Sequence, residues 1–397
     1  MNGPLGNIES NGHSGADAVL SAPSPANNGA SNGMLAKTTD ASVESPAARA
    51  AKNPDDKPAP RQGKATTNTV RAAGLLVALA VLVLACVLSL TVGTRDIALH
   101  TVWDALWHYD GSADQLVVRS LRIPRTVLGL FVGMALGVSG ALIQAMTRNP
   151  LADPGILGVN AGAAFFVALA VALFGFTSIW SYVWFAFLGA IVVTVAVYVL
   201  GSLGRDGTTP IRITLSGVAL GSVLTGVTNG LMLLDPDTFD HLRSWNAGSL
   251  GGIDLDVVWV VAAFIGVGLL IAWSIARPLN AIALGDDLAR TLGADIGATR
   301  RFGVVAVTLL CGAATAAVGP IGFVGLMVPH VARWIVGPDQ RWILPYTMVG
   351  APTLLLLSDV LGRLVLRPAE LQVGIVTAFV GAPVLILLVR RTKASGL

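Results

Sequence analysis

Few residues in this sequence have chemistry to offer, and most of them stand at the ends of apolar runs. Arg119, Arg122 and Arg125 recur every third residue just before an uncharged run, and Arg363 and Arg367 close another. Guanidinium groups so placed suit the carboxylates of an external partner. The plainer alternative is snorkelling or head-group contact. Asp359 is an acid inside an apolar run, the kind of residue an ion-coupled secondary transporter needs. The stretch Arg277–Arg301 (RPLNAIALGDDLARTLGADIGATRR) is a polar island. In it Gly285 or Asp286 can cap a short helix, with Asp286 and Asp287 in the first turn, where the helix dipole favours acids. Leu288 and Leu292 fall at i and i+4, Gly293 suits the stop, and Asp295 and Gly297 can repeat the pattern. Such a helix is either a solvated connector or a knob for a partner's groove. His330 reads as a packing residue, and Cys86 and Cys311 as small core residues, so no metal site is expected.

The elements that must position these groups lie in a bilayer. Over 397 residues the chain is 54% hydrophobic and 12% charged, with a mean hydropathy of +0.71. That composition predicts an all-α polytopic membrane protein. The net charge of +3 gives no reason to expect nucleic acid as a partner,. No lysine occurs between Lys64 and Lys393, so the membrane body holds no phosphate-binding G-x-x-x-x-G-K-[ST] loop,. If ATP drives this protein, ATP and its magnesium bind to another chain, and no cofactor is expected on this one.

Residues 1–70 are rich in Asn, Gly, Ser, Pro and Ala without a periodic apolar face, which predicts a disordered cytoplasmic tail and no secretory signal,. Residues 71–393 read as one domain of ten transmembrane helices. The spans are Ala72–Val92, Thr126–Thr147, two within Gly155–Gly204, Ile213–Leu234, Val257–Ala276, two around the Gly319-Pro320 break, Trp342–Gly362 and Gln372–Val389,. With both termini inside, nineteen Lys/Arg lie on the cytoplasmic side and seven outside, which favours that orientation,. It places the loop 277–301 in the cytoplasm. Ser216, Ser222, Thr225 and Asn229 dot the fifth span, either for close helix packing or for a helix lining a wet path.

Four blocks of the chain resemble the FecCD-type permease family, the membrane subunits of ABC importers for iron–siderophores, haem and vitamin B12. They are Leu121–Ala163, Leu279–Ala294, Gly319–Pro345 and Ser358–Arg391, and the resemblance as a whole covers roughly residues 70–393 in the family's order and spacing. The resemblance implies a fold like the vitamin B12 importer permease, in a bacterial plasma membrane. It implies a second permease chain, identical or related, two cytoplasmic ATPase subunits and an extracytoplasmic binding protein. It implies that Leu284, Gly285, Asp286, Asp287, Ala289, Leu292 and Gly293 couple to the ATPase. Arg122, Arg125 and Arg363 match arginines that meet the binding protein. Ser216, Ser222, Thr225 and Asn229 become candidates for the translocation path, and a ferric siderophore the leading substrate.

Overall fold

The computed structural model describes residue 65, residues 67–203 and residues 210–393. The expected tail, apart from Ala65 and 67–70, lies outside the described residues, as does most of the Arg205–Arg212 loop. Helix α1, Asn68–Thr91, begins inside the stretch read as tail. The reason is a cap: the Thr67 hydroxyl accepts from the Val70 N–H at 3.3 Å, so polar Asn68 and Thr69 form the first turn,.

Two short helices follow, α2 (Leu99–Trp107) and α3 (Ala113–Val117). A π-helical turn, Val118–Arg122, joins α3 to the long α4 (Ile123–Thr147), whose first turn holds Pro124,. A 3-10 turn at Pro154–Leu157 leads into α5 (Val159–Phe174). Next come α6 (Ile179–Ser202), α7 (Pro210–Leu234), α8 (Pro236–Trp245) and α9 (Leu255–Ser274). Short α10 (Ala276–Ala283) and α11 (Asp286–Thr291) precede α12 (Ile296–Val318), α13 (Val324–Val336), α14 (Gln340–Val365) and α15 (Val373–Lys393). Each expected span has a helix at its position. Among the described residues seven helices are long and apolar enough to cross a bilayer, and α5, α13 and Val373–Leu387 of α15 are shorter apolar helices,.

The bundle is built around α4 and α12, each 78% buried over its most apolar window. In α4 the glycines make this possible. A Cβ at Gly133 would run into the Pro352 backbone of α14, and one at Gly140 into the Gly325 carbonyl of α13. Small residues let these backbones approach closely where the lipid offers no hydrophobic drive. Gln144 adds a polar link, donating to the Leu326 carbonyl at 3.0 Å and accepting from Arg333 at 3.1 Å. By contrast α1 and α7 lie at the edge, with 11% of the window buried in each.

Candidate functional site

Helix α4 connects two poles, since Arg122 and Arg125 stand at its start and Arg148 at its end. At the first pole one carboxylate gathers two cations. Asp359, 1% exposed, accepts from Arg125 Nη2 at 2.7 Å and from Arg363 Nη2 at 3.1 Å. Arg125 reaches on to Glu370 Oε2 at 2.7 Å. Arg363 also donates through its two Nη groups to the end of α1: Ser89 O at 3.1 Å, Val92 O at 2.9 Å and Ser89 Oγ at 3.2 Å. Arg122 donates to Leu90 O at 2.7 Å and to Arg95 O. The carbonyls closing a helix lack intrahelical partners. Here two guanidinium groups supply them, and their charge also suits the negative end of the helix dipole.

This placement corrects the expectation that Arg122 and Arg363 present themselves at a surface. They are 5% and 3% exposed, and each donates to carbonyls at the end of α1. The exposed charges of this pole are others. Arg367 pairs with Asp96 at 2.9 Å, and Arg95 with Asp114 at 3.1 Å. The Arg367 guanidinium, with the Gly93 N–H, holds the Asp96 carboxyl below the usual carboxylate range,. Both oxygens of Asp359 are paired, Oδ1 with Arg125 and Oδ2 with Arg125 and Arg363.

At the second pole the Arg277–Arg301 stretch folds into a knob. Gly285 stands before α11 at φ 116 and Gly293 after it at φ 81, both in the region that favours glycine,. Ala289 buries against Ile282 and Ile296, a core of three residues. That core is small, so charge holds the knob in place. Arg148, left-handed at the end of α4, donates to Ile282 O at 2.9 Å and pairs with Asp286. Arg300, in the first turns of α12, pairs with the other Asp286 oxygen at 3.0 Å. Asp286 is therefore the knob's tie to the two most buried helices. Outward it presents Leu284, Leu288 and Leu292, at 63%, 49% and 62% exposure, beside fully exposed Asp287.

Along α7, Ser222, Thr225 and Asn229 are exposed and share an arc of about 60° at 3.6 residues per turn,. Ser216, half-buried, lies roughly 120° away and does not belong to that stripe,. An exposed polar stripe on an apolar helix suits water or another protein rather than lipid. Sequence reasoning missed a neighbour of the buried side of α7. The turn at 154–157 sits against α7 where the Ile156 carbonyl meets Gly217. Just beyond it, Asn160 Oδ1 accepts from Thr315 Oγ1 at 3.0 Å. The signal available was Asp153-Pro154-Gly155, a turn-forming run,.

His330 is buried and packs edge-on to Trp334 at 5.2 Å. Among the described residues no cluster of three or more His, Cys, Asp or Glu could hold a metal ion.

Residues 81–391 match the FecCD transport family. The chain belongs to that family. FecCD proteins are transport subunits rather than enzymes. The ferric enterobactin transport system permease protein FepD of Escherichia coli is 47% identical over 332 residues, 84% of this chain and 98% of that protein. The vitamin B12 import system permease protein BtuC of Citrobacter koseri is 38% identical over 315 residues, 79% of this chain and 92% of its own. Among solved structures, a metal-chelate type ABC transporter in an inward-facing conformation superposes with a TM-score of 0.72. Its identity is 27%, over 81% of this chain and 99% of that one. The FecCD match takes in both poles and the α7 stripe, and it leaves residues 1–80 outside.

Proposed function

We propose that this chain is the membrane-spanning subunit of an ABC importer for ferric siderophores in a bacterial plasma membrane. It crosses ten times with both termini in the cytoplasm and works beside a second permease chain, identical or related. Two ATPase subunits carry the ATP and magnesium. The observation that carries this reading is the knob: three exposed leucines on a surface pinned to α4 and α12 through Asp286. Such a knob fits a groove in a partner. A push on it passes through Asp286 into the bundle's core and rocks the helices between two arrangements. Leu284, Gly285, Asp286, Asp287, Ala289, Leu292 and Gly293 form this coupling element. At the other pole an extracytoplasmic binding protein docks through carboxylates on the arginine surface. Arg125 lies at its rim, and Arg122 and Arg363 hold it from behind. The substrate reading leans on the 47% identity to a ferric enterobactin permease.

The test is purification from native membranes with identification of every stoichiometric companion, followed by uptake of iron-loaded siderophores, haem and cobalamin. A retained P-loop ATPase and siderophore uptake are expected. No ATPase even after crosslinking from Asp287→Cys overturns the importer reading. Preference for cobalamin overturns the substrate.

The path is tested separately. In a background with Cys86 and Cys311 replaced by alanine, Thr225→Cys and Asn229→Cys are expected to react with a charged, membrane-impermeant thiol reagent at least about tenfold faster than Val223→Cys, which faces another direction on α7. Equal rates remove the α7 stripe from the path.

A further inference from the structure

At the knob's end of the bundle, between the ends of α1, α9 and α14, lies a cleft of about 390 Å³. Asn68, Trp273, Ala276, Arg277, Arg341, Trp342 and Pro345 line it. We propose that this cleft is a binding site for the headgroup of an anionic phospholipid, a phosphodiester held by Arg277 and Arg341.

The first argument is charge. Arg277 and Arg341 are exposed into this space, and neither forms an ion pair among the described residues. A third guanidinium, that of Arg71, lies 6.0 Å from the Trp342 ring centroid. The nearby carboxylate of Asp339 is already occupied. It accepts from Asn280 Nδ2 at 2.6 Å and from the Arg341 N–H at 2.9 Å, where it caps α14. The lining of the cleft thus carries two guanidinium groups and no carboxylate. Basic pockets between transmembrane helices are the usual seat of acidic headgroups.

The second argument is the surroundings, and it separates a lipid from a free phosphate. Trp273, 57% exposed, and Trp342 place two indoles at the rim, the residue type that settles at the membrane–water boundary,. From the cleft α1 rises with Leu76 and Val77 exposed at 68% and 66%, and α9 with Leu270 and Val267 at 73% and 50%. A lipid whose phosphodiester sits between the arginines can lay its acyl chains along these faces, and a free phosphate has no use for them. Beside the cleft, hydrogen bonds tie the start of α1 to α13 and α14. Tyr346 donates to Arg71 O at 2.6 Å, Arg71 Nε donates to Ala65 O at 3.2 Å, and the Ala65 N–H donates to Ile335 O at 2.9 Å.

The experiment is native mass spectrometry of the full chain, purified with its co-purifying partners and titrated with dioleoyl phosphatidylglycerol, dioleoyl phosphatidylcholine or inorganic phosphate. One tightly retained phosphatidylglycerol per chain is expected, with phosphatidylcholine not retained. In Arg277→Gln/Arg341→Gln the retained lipid binds about 30-fold more weakly, two surface charges having been lost. Arg277→Lys/Arg341→Lys keeps most of the binding, which separates loss of charge from loss of fold. Arg243→Gln, at the other pole, leaves it unchanged. Equal retention by wild type and the double glutamine variant, or equal retention of both lipids, overturns the proposal. Displacement of the lipid by millimolar phosphate leaves an anion site and overturns the lipid assignment.

Discussion

Asp359→Ala is expected to prevent accumulation of the folded protein. Asp359 is 1% exposed and is the carboxylate that holds Arg363, itself 3% exposed, and the inner side of Arg125. Removing one partner of a buried ion pair leaves an uncompensated charge and costs about 3–5 kcal/mol. Here Arg363 loses its ion-pair partner and Arg125 keeps only the more exposed Glu370, against a whole-domain stability of about 5–15 kcal/mol,. The damage spreads, because Arg363 also holds the carbonyls that close α1. The measurement is yield and thermal unfolding of the purified complex in mild detergent. A melting temperature equal to wild type would falsify the account of this pole. A companion variant, Asp359→Leu with Arg125→Met and Arg363→Met, replaces the charges by apolar groups and is expected to recover much of the lost stability. Asp359→Asn divides the two readings of this residue. If it folds normally yet takes up no substrate, with ATP hydrolysis intact, an ion-coupling role returns; otherwise Asp359 is a structural counter-charge.

How much of this was legible in the sequence depends on how local the cause is. The knob was readable residue by residue, because Gly285, Asp286 and Gly293 act within one or two helical turns. The spans were readable from uncharged length alone, and two helices, α5 and α6, stand within Gly155–Gly204 as expected. The destination of the outer arginines was not readable. Their charge and position are plain in the sequence, but Arg363 meets α1 across 271 residues of chain at Val92, and nothing local announces that contact. A guanidinium at a helix end therefore looked like a docking group when it is a cap. Ser216 failed for a simpler reason: it shares composition with the α7 stripe but not its phase. The glycines of α4 announced close packing without naming the neighbour, since Pro352 and Gly325 lie far along the chain. The tie from Arg148 and Arg300 to Asp286 was hidden in the same way, two of its three members lying outside the loop's own helix.

That tie sets up the second large effect, a contrast between two variants of one knob. Leu288→Arg with Leu284→Ser and Leu292→Ser removes the exposed apolar surface and is expected to weaken association with the ATPase by at least about 30-fold, the loss of a central hot spot. The fold is expected to survive, because these side chains touch solvent and the knob's core of Ile282, Ala289 and Ile296 is untouched,. Asp286→Ala does the opposite. It leaves the leucines in place and cuts the link to Arg148 and Arg300. The ATPase is expected to stay bound and to hydrolyse ATP, while substrate uptake falls by at least about tenfold, because closure no longer reaches α4 and α12. Binding, hydrolysis and uptake measured side by side in proteoliposomes separate the cases. If the leucine variant keeps its ATPase, the knob is a solvated connector and the coupling site lies elsewhere. If Asp286→Ala transports normally, the groove contact alone carries the force, and the ion pairs only shape the loop.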